Sequence, residues 1–104
     1  MRGYRPQRLQ RQLSVQRVLL AVYWLSDAGG LYCAATNAEI ARAAGRGVEK
    51  TQEILGELVR DGHLGWSPQG NGLRRRVFVL MDHPDAARAM SGAIAPEPVR
   101  ASGG

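Results

Sequence analysis

Apolar residues recur over residues 6–28 at the 3.6-residue period of an α-helix, and they form two faces. One face contains five aliphatic side chains, Val15, Val18, Leu19, Val22 and Leu25. The nearly opposite face contains four large apolar side chains, Leu9, Leu13, Leu20 and Trp24. Pro6 suits the first turn of this helix, and Gly29-Gly30 provide its stop. One face is expected to cover the core, and the other to be covered by Met90 and its neighbours or by a second subunit.

A capping motif predicts the next helix. In the sequence T-N-A-E, the Thr36 hydroxyl can accept a hydrogen bond from the Glu39 amide, while the Glu39 side chain accepts one from the Thr36 amide. The helix is expected over 37–44, and Gly45 ends it. The apolar stretch 31–35 that precedes it is long enough for one brief strand.

A third helix is predicted from about Val48 to Asp61, with Gly47 as its N-cap and Gly62 as its stop. Its inner side is expected to contain five residues at helical spacing, Val48, Thr51, Leu55, Leu58 and Val59.

Beyond this helix the pattern changes to the two-residue alternation of β-strands. The segments "HLGWS" and "LRRRVFVLM" are predicted strands, and Gly70-Asn71-Gly72 between them supplies the positive φ angles of a tight hairpin turn. Alternation places the apolar residues of the second strand on two sides, with Val77, Val79 and Met81 opposite Phe78 and Leu80.

The predicted elements form one domain over residues 6–94, which ends in a short helix that Pro84 opens. Residues 1–5 are expected to be a flexible basic arm. Residues 95–104 are rich in proline, glycine and serine, and they are expected to be a disordered tail.

Composition and charge indicate a small basic protein. The chain has 104 residues and a formal net charge of +5, and 13 of its 14 basic residues are arginine. Such a balance favours a polyanionic partner. The longest apolar run, around 18–25, is too short to span a membrane, and the N-terminus lacks the apolar core of a signal peptide. Cys33 has apolar neighbours and is expected to be a buried thiol in a reducing compartment, so the predicted location is the cytoplasm.

Motifs of catalysis or cofactor binding do not occur in the sequence. His63 and His83 have no cysteine or carboxylate at ligand spacing, so no metal site is expected. There is no paired nucleophile and base and no phosphate-binding loop, and G-N-G-L-R-R lacks the third glycine of a dinucleotide fingerprint. The chain is therefore expected to be neither an enzyme nor a cofactor-binding protein.

The order of helix, short strand, helix, tight turn, helix and hairpin resembles the winged helix-turn-helix domain of bacterial transcriptional regulators, such as the MarR-like and GntR-like families. The resemblance covers about residues 14–81. Three stretches give it, T-N-A-E-I-A-R-A-A-G at 36–45, I-L-G-E-L-V-R-D-G-H-L at 54–64 and G-N-G-L-R-R-R-V-F-V-L at 70–80. The implied fold is mostly α with a small β-hairpin: a three-helix core, a wing and a short C-terminal helix.

The resemblance implies that the helix over about 48–61 lies in the major groove of double-stranded DNA and that the hairpin contacts the backbone or minor groove. The groove-facing residues would be Arg46, Glu49, Lys50 and Glu53. The wing residues would be Arg74, Arg75 and Arg76. In the N-terminal arm, Arg2 and Arg5, with Arg8 and Arg11, are expected either to contact phosphates or to form a solubilising tail.

Three glutamates complicate this interpretation. Glu49, Glu53 and Glu57 stand at i, i+4 and i+8, and the segment 46–61 has three positive and four negative charges, a net of −1. Glutamate can accept a hydrogen bond from cytosine N4, but an acidic stripe repels the phosphate backbone. Non-specific affinity is then expected to come from the arm and the wing.

The leading hypothesis is a sequence-specific DNA-binding regulator, a repressor that forms a homodimer. Its dimer interface would contain five apolar residues, Leu9, Leu13, Leu20, Trp24 and Met90. A second hypothesis is a winged-helix protein-interaction module of a larger assembly, whose partner binds the acidic stripe. A third is a plasmid or phage replication or partition protein that binds DNA through the same surface.

Overall fold

The structure is a computed structural model and describes residues 6–27, 29–67 and 77–94. The described part contains four helices and three strands: α1 (Pro6–Trp24), β1 (Tyr32–Cys33), α2 (Asn37–Ala44), α3 (Val48–Arg60), β2 (Leu64–Trp66), β3 (Phe78–Leu80) and α4 (Ala86–Met90). The expected combination of a helical core and a small sheet is confirmed. The predicted arm, hairpin turn and tail lie outside the described residues.

Helix α1 ends at Trp24, four residues before the predicted end. The Ser26 hydroxyl donates to the carbonyl oxygen of Tyr23 at 2.5 Å. The Asp27 carboxylate then accepts from the Leu31 amide at 3.1 Å, while the Asp27 amide donates to the carbonyl oxygen of Tyr32 at 2.8 Å. These bonds turn the chain from α1 into β1, and they replace the helical bonds that the apolar pattern predicted.

The sheet is antiparallel with the strand order β1-β3-β2. Trp66 pairs with Phe78 across β2 and β3, and Tyr32 pairs with Val79 across β1 and β3. The predicted division of the second strand is confirmed, because Phe78 and Leu80 belong to the main core and Val77 and Val79 to a second cluster.

The main core lies between the sheet and the first three helices. Its fully buried aliphatic side chains come from all three helices and from β2, and they include Val18, Val22, Ile40, Ile54, Leu58 and Leu64. On α3, Thr51, Leu55 and Leu58 are buried as expected. Val48, the first residue of α3, is 43% exposed and does not belong to that side, whereas Val59 is partly buried against the main core.

Helix α4 covers the opposite side of the sheet. Ala86 and Ala89 are buried there with Val79. A Cβ atom built on Gly65 would lie 2.8 Å from the sulfur of Met90, so the Met90 side chain packs against β2. The expectation that Met90 covers the outer face of α1, next to Trp24, is therefore wrong: α4 packs on β3, and Trp24 remains 84% exposed.

Thr51 gives a stability prediction. Its side chain is fully buried, and its hydroxyl has no hydrogen-bond partner among the described residues. A buried unsatisfied hydroxyl destabilises the folded state, and valine has nearly the same shape without it. Thr51→Val is expected to raise the free energy of unfolding by about 1 kcal/mol, measured by urea denaturation.

The matched control is the same change at Thr36, whose hydroxyl accepts from the Glu39 amide at 3.0 Å. Thr36→Val removes this cap and is expected to lower the free energy of unfolding by about 1 kcal/mol. A loss of stability in both variants would show that the Thr51 hydroxyl has a partner in solution.

Candidate nucleic-acid interface

Helices α2 and α3 follow each other across a tight connection. The capping box of α2 is present in full, because the Thr36 amide also donates to the Glu39 carboxylate at 2.8 Å. Gly45 ends α2 with φ 69° and ψ 35°, a left-handed conformation that glycine adopts without strain. Its amide bonds back to the carbonyl groups of Ala41 and Arg42. Only residues 45–47 separate the helices, so the start of α3 is held close to the end of α2.

Helix α3 turns a polar face away from the core. The exposed residues of this face include Glu49, Lys50, Gln52, Glu53 and Arg60. Three of them, Glu49, Lys50 and Glu53, were predicted to contact bases. Gln52 was not predicted to contact DNA. It stands between the buried residues Thr51 and Ile54 in the sequence, but the turn of the helix places it on the exposed side. Its amide offers both a donor and an acceptor.

Arg46 does not extend from the exposed face of α3. Its Nε atom donates to the Ser14 hydroxyl at 2.9 Å, and its Nη1 atom donates to the carbonyl oxygen of Gly45 at 3.0 Å. The side chain therefore connects the tight turn to α1. This contact spans 32 residues of sequence, so no local pattern could have indicated it.

Arg11 forms ion pairs with two glutamates of the acidic stripe. Its Nη1 atom lies 3.0 Å from Oε1 of Glu53, and its Nη2 atom contacts Oε2 of Glu57. Lys50 Nζ is 4.0 Å from the same oxygen of Glu53. The hydrogen bond from Arg11, followed by the charge of Lys50, lowers the pKa of Glu53. Arg11 thus binds α3 within the domain, whereas the sequence suggested a phosphate contact or a tail residue.

Five of the predicted DNA contacts, Arg2, Arg5, Arg74, Arg75 and Arg76, lie outside the described residues. The chain is described up to Ser67 and again from Val77, on either side of residues 68–76 that contain the basic run, and the Ser67 amide donates to the carbonyl oxygen of Val77 at 2.8 Å. Next to them, the rings of Trp66 and Phe78 stack with centroids 4.4 Å apart. These contacts join β2 and β3 at the end of the described sheet.

The outer face of α1 consists of Leu9, Leu13, Leu20, Tyr23 and Trp24, whose exposed fractions are 46%, 49%, 58%, 60% and 84%. Tyr23 was not predicted as part of it. A cavity of about 430 Å³ borders Leu20 and Tyr23 on the side of His83, and another of about 490 Å³ borders Tyr23 and Trp24. The outer face of α1 is thus bordered by two cavities.

Other candidate chemistry is sparse in the described part of the chain. Cys33 is buried, and burial raises the pKa of its thiol, so it is a weak nucleophile at neutral pH. Burial, with a contribution from Asp27, also raises the pKa of Tyr32, whose hydroxyl donates to the carbonyl oxygen of Ile94. Across residues 6–27, 29–67 and 77–94, no three metal-ligating side chains come together. No helix in these ranges is long and apolar enough to cross a membrane.

Comparisons with known proteins give no relative for this chain: no family model, curated protein or solved structure matches it significantly.

Proposed function

We propose that this chain is a winged-helix domain that binds double-stranded DNA in a sequence-specific manner and acts as a small transcriptional repressor in the cytoplasm. The observation that supports this most is α3 itself. It follows α2 after only three residues, its inner side is buried against the core, and its opposite side is polar and exposed. The sheet order β1-β3-β2 is compatible with a wing between β2 and β3.

In the proposed complex, α3 lies in the major groove, where each base pair presents a distinct pattern of donors and acceptors. Glu49 can accept a hydrogen bond from cytosine N4, and Gln52 can bind adenine through two hydrogen bonds. Lys50 supplies a donor beside them. Phosphate contacts would come from the arginines of the wing and arm, because the segment 46–61 that contains α3 has a net charge of −1.

The outer face of α1 is proposed to pair with the same face of a second copy. Leu9, Leu13 and Leu20 are separated by four and seven residues, the spacing of a helix–helix seam, and Tyr23 extends the seam by three. A symmetric dimer would place two α3 helices on the two half-sites of a two-fold operator.

Selection of bound sequences from a pool of random duplexes tests the proposal. An enriched motif with two-fold symmetry is the expected result, and Gln52→Ala should change the preferred bases within it. Thr36→Val, which alters α2 but no groove-facing residue, should select the same motif. Recovery of no enriched sequence by the unmodified protein would contradict sequence-specific binding.

A protein-interaction module is the second candidate, and the acidic stripe of Glu49, Glu53 and Glu57 favours it, because such a stripe repels a phosphate backbone and suits a basic surface of a partner protein. In that case a partner protein would lose affinity on Glu49→Gln, while DNA would not be bound. A replication or partition protein would select a DNA motif as a repressor does, but the motif would occur at a replication origin or partition site.

A further inference from the structure

We infer that Arg11 is a positioning residue for DNA binding: its guanidinium group lies between Glu53 and Glu57 and neutralises the acidic side of α3, so that a duplex can approach. This inference rests on the proposed function. It assigns to α1 a role at the α3 surface that is separate from any pairing of subunits.

The contact has the geometry of a bridge. Arg11 is anchored on α1, and its two terminal nitrogens meet carboxylates one helical turn apart on α3. Its side chain is 31% exposed, whereas that of Glu53 is 62% exposed. The positive charge is therefore held partly within the domain, and the carboxylate of Glu53 faces solvent on the side where a phosphate backbone would pass.

The Arg11 contact changes the net charge at the α3 surface. Segment 46–61 has a net charge of −1, and the charge of Arg11 brings it to zero. Without Arg11, two carboxylates on adjacent turns would face a polyanion with only Lys50 nearby. Across water, the repulsion between one carboxylate and one phosphate amounts to a few tenths of a kcal/mol. It is summed over several phosphates and reduced by salt.

Arginine is suited to this role because its planar fork can donate to two carboxylates at once. Lysine presents a compact ammonium group that engages one of them well. Arg11→Lys is therefore expected to have an intermediate effect, and it keeps the charge and most of the packing of the stem.

The experiment compares affinity for one fixed duplex over a range of salt concentrations. Arg11→Ala is expected to weaken binding about fivefold to tenfold at 0.1 M salt. The slope of log affinity against log salt should flatten by less than the 0.9 that a lost phosphate contact gives, because Arg11 does not itself contact a phosphate and only the screened repulsion changes. The double variant Arg11→Ala/Glu57→Gln should bind within about twofold of the original protein, since it restores the net charge of zero without changing a residue predicted to face the groove. Loss of the packing of Arg11 alone could not be rescued in this way.

Arg88→Ala is the matched control, because Arg88 is an exposed arginine of α4 whose nearest carboxylate is Asp85 at 3.8 Å. It removes the same charge away from α3 and should weaken binding less than twofold. Thermal unfolding checks that each variant is folded. NMR titration of Glu53 supplies a readout without DNA: its pKa, lowered in the original protein, should return towards the ordinary value in Arg11→Ala.

Several outcomes would overturn the inference. One is weaker binding by Arg11→Ala with a slope flattened by about 0.9 and no rescue, which would make Arg11 a phosphate contact. Another is an effect no larger than that of Arg88→Ala, or an unchanged titration of Glu53. If the unmodified protein bound no duplex, the proposed function would fail and the positioning role with it. A shifted titration of Glu53 would then show that the ion pair still exists, so the failure would lie in the function.

Discussion

Leu20→Glu is expected to leave a folded protein that is monomeric and binds its operator weakly. Leu20 is 58% exposed at the centre of the outer face of α1, and the core of the domain lies on the opposite side of the helix. In a symmetric dimer each change occurs twice, so two apolar contacts are lost and two carboxylates are placed in the seam. The cost is at least about 3 kcal/mol, which is more than about a hundredfold in the dimer dissociation constant.

Sedimentation measures the assembly, and circular dichroism checks that the helices remain. Gln12→Glu is the control, because Gln12 is an exposed residue of the same helix that does not belong to the outer face of α1. The variant gains the same charge. It should remain dimeric. If the unmodified protein sediments as a monomer at micromolar concentration, the prediction of a dimer through the outer face of α1 is wrong.

Replacing Arg74 and Arg76 by alanine is expected to lower the affinity for every duplex. The prediction rests on the sequence, in which these residues follow a Gly-Asn-Gly turn and alternate with Arg75. Each phosphate contact contributes about 0.9 to the slope of log affinity against log salt, or roughly eightfold in affinity at 0.1 M salt. One or two lost contacts should therefore flatten the slope by about one to two. They should weaken binding by roughly eightfold to sixtyfold.

The preferred sequence should not change in this variant, because phosphate contacts position a protein without specifying bases. Arg75→Ala is the comparison, since strand alternation sends this side chain to the other side, and its effect should be smaller. A larger effect of Arg75→Ala would show that the strand register is the reverse of the one assumed, with Arg75 facing the DNA. An unchanged salt slope in the double variant would show that the wing does not contact DNA and is only a charged strand edge.

Local signals in the sequence predicted most of the described elements. The capping box located the start of α2 at Asn37 because both of its hydrogen bonds lie within four residues. Alternation assigned Phe78 to the main core and Val79 to the second cluster because both sides of the sheet are covered. In both cases the deciding interaction is between near neighbours or follows a simple period.

Interactions between distant residues could not be read from the sequence. The end of α1 depends on the bond from the Asp27 amide to Tyr32 in β1, which competes with helical continuation. The surroundings of Glu53 and Glu57 depend on Arg11, which is 42 and 46 residues away in the chain. The acidic stripe looked unopposed in the sequence because its counter-charge lies on another helix.

The two tryptophans of the chain lie in contrasting surroundings, and each can therefore act as an optical reporter of a different event. Trp24 is 84% exposed on α1, whereas Trp66 stacks on Phe78 in the sheet. Indole emission moves to shorter wavelength when water leaves its neighbourhood. The fluorescence of Trp24 should shift when any molecule covers the outer face of α1. In a Trp24→Phe protein the remaining signal comes from Trp66, at the end of the sheet that adjoins the basic segment. Coverage of the outer face of α1, in a Trp66→Phe protein, and changes at the described end of the sheet, in a Trp24→Phe protein, can thus be observed separately, in solution and without an added label.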